Sequence, residues 1–120
     1  MPEMPKFDKS SAAIVERFAA AMTRLCAPDV TQRKMFGYPC AWIGGNMASG
    51  LFADEWWVRV SEPDRDRLLA MPGGHPFEPM PGRPMGRYVV LPPAVVADDA
   101  ELDVWLFRAF DFTRTVPPKR

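Results

Sequence analysis

Basic side chains in or beside apolar strand sequences are the residues of this chain best able to do chemistry. A guanidinium group binds carboxylates and phosphates through paired hydrogen bonds, and an ammonium group acts as a compact positive charge. If these side chains converge, they form a site for an anion or an acidic partner. The alternative is that each pairs with a nearby acid or lies on a solvated sheet face. Six residues are candidates for such a binding site: Arg33, Lys34, Arg59, Arg83, Arg87 and Tyr88.

Groups suited to catalysis are few. A nucleophile needs a base within hydrogen-bond reach, and His75 is the single histidine of the chain. No local motif supports a dyad of Cys40 with His75, and a solvated or capping histidine is favoured. One histidine and two cysteines do not make a usual zinc-ligand set. We therefore expect no enzymatic activity, no metal and no cofactor.

The composition is typical of one globular domain. The 120 residues include 15 basic and 15 acidic side chains, so the formal net charge is zero. Direct nucleic-acid binding is not expected, because it needs an excess or a segregated patch of positive charge. The sequence has no apolar run long enough for a membrane span and no apolar signal-peptide core at its start. We expect a cytoplasmic protein in which Cys26 and Cys40 are free and buried.

Amphipathic helices enclose a strand-rich middle section. Apolar residues recur at helical spacing over Ser10–Leu25 and Asp98–Phe110, and a shorter helix is predicted over Ser61–Met71. Proline and glycine dominate the segment Pro72–Pro84, which is predicted to be a surface loop and the best candidate binding surface. Residues 1–9 are expected to be a flexible leader, residues 10–112 the domain, and residues 113–120 a polar tail.

Short turns between β-rich segments predict an antiparallel meander. Trp56, Val58 and Val60 alternate with Trp57 and Arg59, so the two sets point to opposite sheet faces. The four tryptophans, Trp42, Trp56, Trp57 and Trp105, are expected to be core residues rather than stacking platforms. The alternative is that either Trp56 or Trp57 is partly exposed, which would suggest a self-association surface. Five strands are predicted: Val30–Phe36, Tyr38–Ile43, Met47–Ala53, Trp56–Val60 and Arg87–Leu91.

The predicted fold class is α+β, a single domain with a central antiparallel sheet of about five strands. The element order is α-β-β-β-β-α-β-α, and the N-terminal and C-terminal helices are expected to cover one face of the sheet.

Several motifs occur together in a fixed order. They are RKMFG at Arg33–Gly37, GGNMASGLF at Gly44–Phe52, VRV at Val58–Val60, PFEPMPGRPMGRYVVLP at Pro76–Pro92 and PPK at Pro117–Lys119. This ordered set resembles the N-terminal domain of the TfoX/Sxy family. The resemblance covers the chain from about Ser10 onward.

The resemblance implies a small α+β domain with a central antiparallel sheet and a link to the regulation of natural competence. Two-domain members of that family act as transcriptional co-activators with a cyclic-AMP receptor protein. This sequence stops where the N-terminal domain stops, so a stand-alone domain without the C-terminal helical domain is expected.

Two functions are compatible with these observations. The first is a non-enzymatic interaction domain whose protein partner is a transcription regulator. Homodimer formation is compatible with this function and with the alternative. The alternative is a small-molecule or anion-binding protein that uses an arginine cluster near the proline-rich loop.

Overall fold

The computed structural model describes residues 9–80 and 82–118, except for the side chain of Pro84. The predicted leader, apart from Lys9, lies outside the described residues. The helices are α1 (Ala12–Leu25), α2 (Glu62–Leu69), α3 (Pro93–Val96) and α4 (Asp99–Thr115). The strands are β1 (Val30–Met35), β2 (Tyr38–Ile43), β3 (Asn46–Phe52), β4 (Glu55–Arg59), β5 (His75–Met80) and β6 (Arg83–Val90).

The strands form one antiparallel sheet in the order β1-β2-β3-β4-β6-β5. The predicted α+β class and element order are confirmed, but the sheet has six strands rather than about five. The additional strand β5 lies within Pro72–Pro84, so the prediction of a loop there was wrong. Pro76 and Pro79 are compatible with β5 because it is an edge strand, where a missing N–H need not break the ladder.

The main core lies between one face of the sheet and the helices α1 and α4, as the sequence predicts. Phe18 of α1 packs 5.2 Å from Trp56, measured between ring centroids. Leu102 and Leu106 of α4 are fully buried in the same cluster. The helix α4 runs beyond the predicted end near Phe110, because its helical spacing continues to the buried Thr113.

A second cluster fills the opposite face of the sheet. Trp57 stacks on Phe77 of β5 with ring centroids 5.3 Å apart, and it meets Tyr88 of β6 edge-on at 5.0 Å. Trp56 and Trp57 point to opposite faces, as the alternation predicts. Both are buried, as expected for core residues, so the alternative of a partly exposed tryptophan at one of these two positions was wrong. The β5–β6 hairpin supplies the side chains that bury Trp57.

The two cysteines occupy different environments. Cys40 is free and buried, and burial raises the pKa of its thiol to about 12. It therefore remains protonated at neutral pH. Cys26 is also free but exposed, which corrects the expectation that both are buried. It follows the last residue of α1 with a left-handed φ of 45°, where its N–H bonds to the carbonyl of Met22.

Asp64 of α2 forms an ion pair with Arg108 of α4. Its carboxylate accepts two hydrogen bonds from Arg108, each 2.7 Å long, although Asp64 is only 6% exposed. The hydrogen bonds from Arg108 are the largest cause that holds the pKa of Asp64 below its ordinary value. The pair therefore stabilises the fold above the unfolded-state pKa of about 3.9, and this contribution is lost as the pH falls below that value.

We predict that Asp64→Asn lowers stability at pH 7 and makes stability fall less steeply between pH 5 and pH 3. The reason is that the variant has no depressed carboxyl pKa left to titrate at this position. Urea midpoints at the two pH values measure the effect. Asp66→Asn removes the same charge from an exposed position on the same helix and is the matched control. An unchanged acid dependence in Asp64→Asn would contradict the prediction.

Candidate functional site

The strand order separates the predicted site residues into three places. Arg33 and Lys34 lie on the edge strand β1, and Arg83 begins β6 near the other edge. Arg59 of β4 is the direct cross-strand neighbour of Tyr88 on β6. The structure therefore brings Arg59, Arg87 and Tyr88 together, and it does not join all six residues in one site.

Arg59 is a buried cation. The residue is 7% exposed, and its guanidinium carbon lies 5.8 Å from the centroid of the Tyr88 ring. Burial raises the pKa of Tyr88, and the positive charge of Arg59 works against that shift. Within the described part of the chain, no carboxylate pairs with Arg59, and its buried Nε has no hydrogen-bond partner.

Arg65 of α2 joins this group, although the sequence analysis did not identify it. Its Nη1 donates a 2.5 Å hydrogen bond to the carbonyl of Gly86, and its buried Nε has no partner among residues 9–80 and 82–118. The sequence RDR places two arginines on α2 and does not indicate which one reaches β6. A cavity of about 260 Å³ lies here, lined by Arg59, Val60, Glu62, Arg65, Arg87 and Phe112.

The edge strand β1 carries the second basic group. Thr31, Gln32, Arg33 and Lys34 are all exposed. The guanidinium of Arg33 lies 4.7 Å from the ring centroid of Trp42, and the indole N–H donates a long bond, 3.4 Å, to the Arg33 carbonyl. No acidic residue occurs in β1, and no carboxylate within the described ranges pairs with Arg33 or Lys34.

A groove of about 440 Å³ extends this basic edge toward the start of α1. Lys9 and Lys34 line it with Phe36, which is 64% exposed in the turn between β1 and β2. Phe36 has a positive φ of 53°, and Gly37 has a φ of 83°. Such values are rare for a residue with a bulky side chain, so the turn holds Phe36 in an uncommon conformation.

Several arginines outside the sheet have acidic partners instead. Arg17 lies 2.8 Å from Asp99, and Arg114 lies 2.7 Å from Asp29. Arg108 pairs with Asp64, as described above. These ion pairs connect elements that are distant in sequence. The basic residues of β1, β4 and β6 differ because they have no such partners in the described part of the chain.

His75 lies in β5, with its Nε2 3.0 Å from a carboxylate oxygen of Glu55. Cys40 lies in β2, so β3, β4 and β6 separate it from His75, and the two cannot form a dyad in this structure. A cavity of about 500 Å³ beside His75 has mostly apolar walls. Among the described residues, no group of three or more His, Cys, Asp or Glu side chains could hold a metal ion.

The six-stranded sheet with helices on one face defines an α+β domain of the kind that the ordered motifs imply. The chain belongs to the TfoX N-terminal domain family, whose model matches residues 22–113. The match begins within α1 and ends within α4, so it includes every strand.

No curated protein and no solved structure matches the chain. Among the described residues, no helix has both the length and the apolar character that crossing a membrane requires.

Proposed function

We propose that this chain is a non-enzymatic protein-interaction domain that acts in transcriptional regulation through a protein partner. The partner supplies an extended, acidic segment that binds along β1. The observation that carries this proposal is an edge strand with four consecutive exposed residues. Two of them, Arg33 and Lys34, are basic and form no ion pair with any carboxylate among residues 9–80 and 82–118. Membership of the TfoX N-terminal domain family supports the regulatory part.

The physical basis is strand addition to an open sheet edge. An edge strand offers unpaired backbone N–H and C=O groups, and an extended segment from another protein can satisfy them. Main-chain hydrogen bonds then supply affinity, while side chains select the partner. Arg33, Lys34 and Lys9 favour carboxylates, and the exposed ring of Phe36 favours an apolar residue in the partner segment.

The positive charge of β1 favours an acidic partner segment over a second copy of the chain as the strand that pairs with this edge. Antiparallel pairing of β1 with another β1 would bring the basic side chains of two identical strands together. Like charges that face each other across strands are destabilising. An acidic segment neutralises them instead, so it is the favoured occupant of the edge.

The first test uses a short peptide in which glutamate and valine alternate. We expect it to shift the backbone amide NMR signals of β1, and to bind more weakly at high salt. The double variant Arg33→Ala/Lys34→Ala is expected to weaken binding about fivefold to tenfold, since exposed charge pairs contribute about 0.2–1 kcal/mol each. Arg83→Ala removes an exposed arginine near the other sheet edge and is the control.

Three outcomes would overturn the proposed surface. One is equal binding of a peptide in which lysine replaces glutamate. Another is a set of shifted amides that excludes β1. The third is a concentration-dependent dimer, seen by sedimentation, that competes with the peptide. The regulatory part is tested separately by crosslinking Lys34 in cells. It fails if the partners crosslinked there are not transcription regulators.

A further inference from the structure

We propose that the cavity between β4, β6 and α2 binds a phosphate-class oxyanion, with Arg59, Arg65 and Arg87 as its ligands. This site is distinct from the β1 edge and does not depend on the interaction proposed there. It accounts for Arg59, a buried arginine that has no acidic partner in the described part of the chain.

The first argument is energetic. Burying a guanidinium without a counter-charge or complete hydrogen bonding is costly, and proteins normally offset that cost with a paired acid. Arg59 is more than nine-tenths buried, and its Nε lacks a partner within the described residues. Since Arg59 lines the cavity, an anion there would supply the counter-charge that no carboxylate of the described residues provides.

The second argument is geometric. The three arginines come from different elements, Arg59 from β4, Arg65 from α2 and Arg87 from β6. Arg65 is positioned by its hydrogen bond to the carbonyl of Gly86, and its own Nε is also buried and free of partners in the described part of the chain. A carboxylate has two oxygens, which one arginine fork can satisfy, whereas a phosphate group has enough oxygens to engage three.

The walls restrict the size of the ligand. The cavity volume of about 260 Å³ is below the roughly 300–1,000 Å³ typical of pockets for drug-sized ligands. It suits a phosphate group with a small substituent. Val60 and Phe112 provide apolar surface for that substituent.

One lining residue opposes the anion. The exposed carboxylate of Glu62 lies at the cavity, where three guanidinium groups outnumber it. It forms no ion pair with these arginines within the described ranges. Glu62 therefore predicts the direction of one effect: removal of its negative charge should tighten anion binding.

Titrations at constant ionic strength test the site, with inorganic phosphate in one arm and glycerol 3-phosphate, a phosphate ester with a small substituent, in the other. The readout is the NMR signal of the Arg59 Nε–Hε group, assigned by its absence in Arg59→Lys. We expect that signal to shift on binding. Tighter binding of the ester would indicate a small phosphorylated metabolite as the ligand, and equal or weaker binding would indicate the free anion.

Four variants separate the site from a general charge effect. Arg65→Gln and Arg87→Gln are expected to weaken binding by about tenfold or more, since each loses charged hydrogen bonds. Glu62→Gln is expected to strengthen it. Arg67→Gln removes the same charge from the same helix outside the cavity and should leave binding unchanged. The proposal is overturned if the Arg59 signal does not shift, or if Arg67→Gln weakens binding as much as Arg65→Gln.

Discussion

Replacing Trp57 with alanine is expected to lower the free energy of unfolding by about 3–5 kcal/mol, the range seen for large aromatic residues truncated in well-packed cores. Trp57 is fully buried on the sheet face opposite the one that α1 and α4 cover. Its ring contacts Phe77 and Tyr88, which lie on two other strands. The variant therefore opens a cavity and at the same time removes the ring contacts between β4 and the β5–β6 hairpin.

Urea denaturation at pH 7 measures the effect. Phe107→Ala is the matched control, because Phe107 is an aromatic residue that is 56% exposed on α4, and it should cost far less. Trp57→Phe keeps most of the packing and removes an indole N–H that is buried without a partner in the described part of the chain. It should therefore be milder than alanine. A cost for Trp57→Ala no greater than for Phe107→Ala would show that the hairpin does not cover this face in solution.

The sequence predicts the sheet face that α1 and α4 cover better than it predicts the opposite face, where Trp57 lies. The helical spacing of α1 and α4 and the alternation of Trp56 with Trp57 are local patterns, and both are present in the structure. The covering of Trp57 is not local. It depends on the pairing of β5 with β6. Strand propensity does not predict β5, because Pro76 and Pro79 are residues that strands disfavour.

The candidate site likewise combines features that the local sequence predicts with features that depend on strand pairing. The sequence places Arg59 and Tyr88 in predicted strands. Their contact follows from the pairing of β4 with β6, and the sequence does not predict that pairing because α2 lies between the two strands in the chain. Arg65 had no distinguishing local signal, because its role depends on the carbonyl of Gly86. Residue type alone identifies candidate binding residues. Which of these residues lie close together depends on the order of the strands in the sheet.

One cross-strand row explains why the second sheet face is sensitive to substitution. Successive partners in the antiparallel register run across all six strands: Arg33, Cys40, Gly50, Trp57, Val90 and His75. The smallest residue, Gly50, lies beside the largest, Trp57. Packing in this row is therefore complementary in shape, and a change at one of these two positions should alter the effect of a change at the other.

Gly50→Ala is expected to destabilise the fold by about 1–3 kcal/mol through overpacking. A Cβ at this position would lie 2.6 Å from Cζ2 of Trp57 and 3.1 Å from the carbonyl oxygen of Pro39. Elsewhere in a strand, alanine would gain roughly 0.5–1 kcal/mol over glycine. The clash outweighs this gain because Trp57 is stacked and fully buried, so its ring cannot move away without loss of other contacts. Gly86→Ala in β6 is the control, because a Cβ there meets nothing within 4 Å.

A double-mutant cycle separates this clash from other effects of the substitution. In the Trp57→Ala background the indole is absent, so a methyl group at position 50 should be neutral or stabilising. The expected coupling free energy between the two sites is then about 1–3 kcal/mol, measured from four urea denaturation curves. If Gly50→Ala costs the same in both backgrounds, the strain arises from the Pro39 carbonyl rather than from the ring. The close packing of Gly50 against Trp57 would then not be what requires glycine at this point of the sheet.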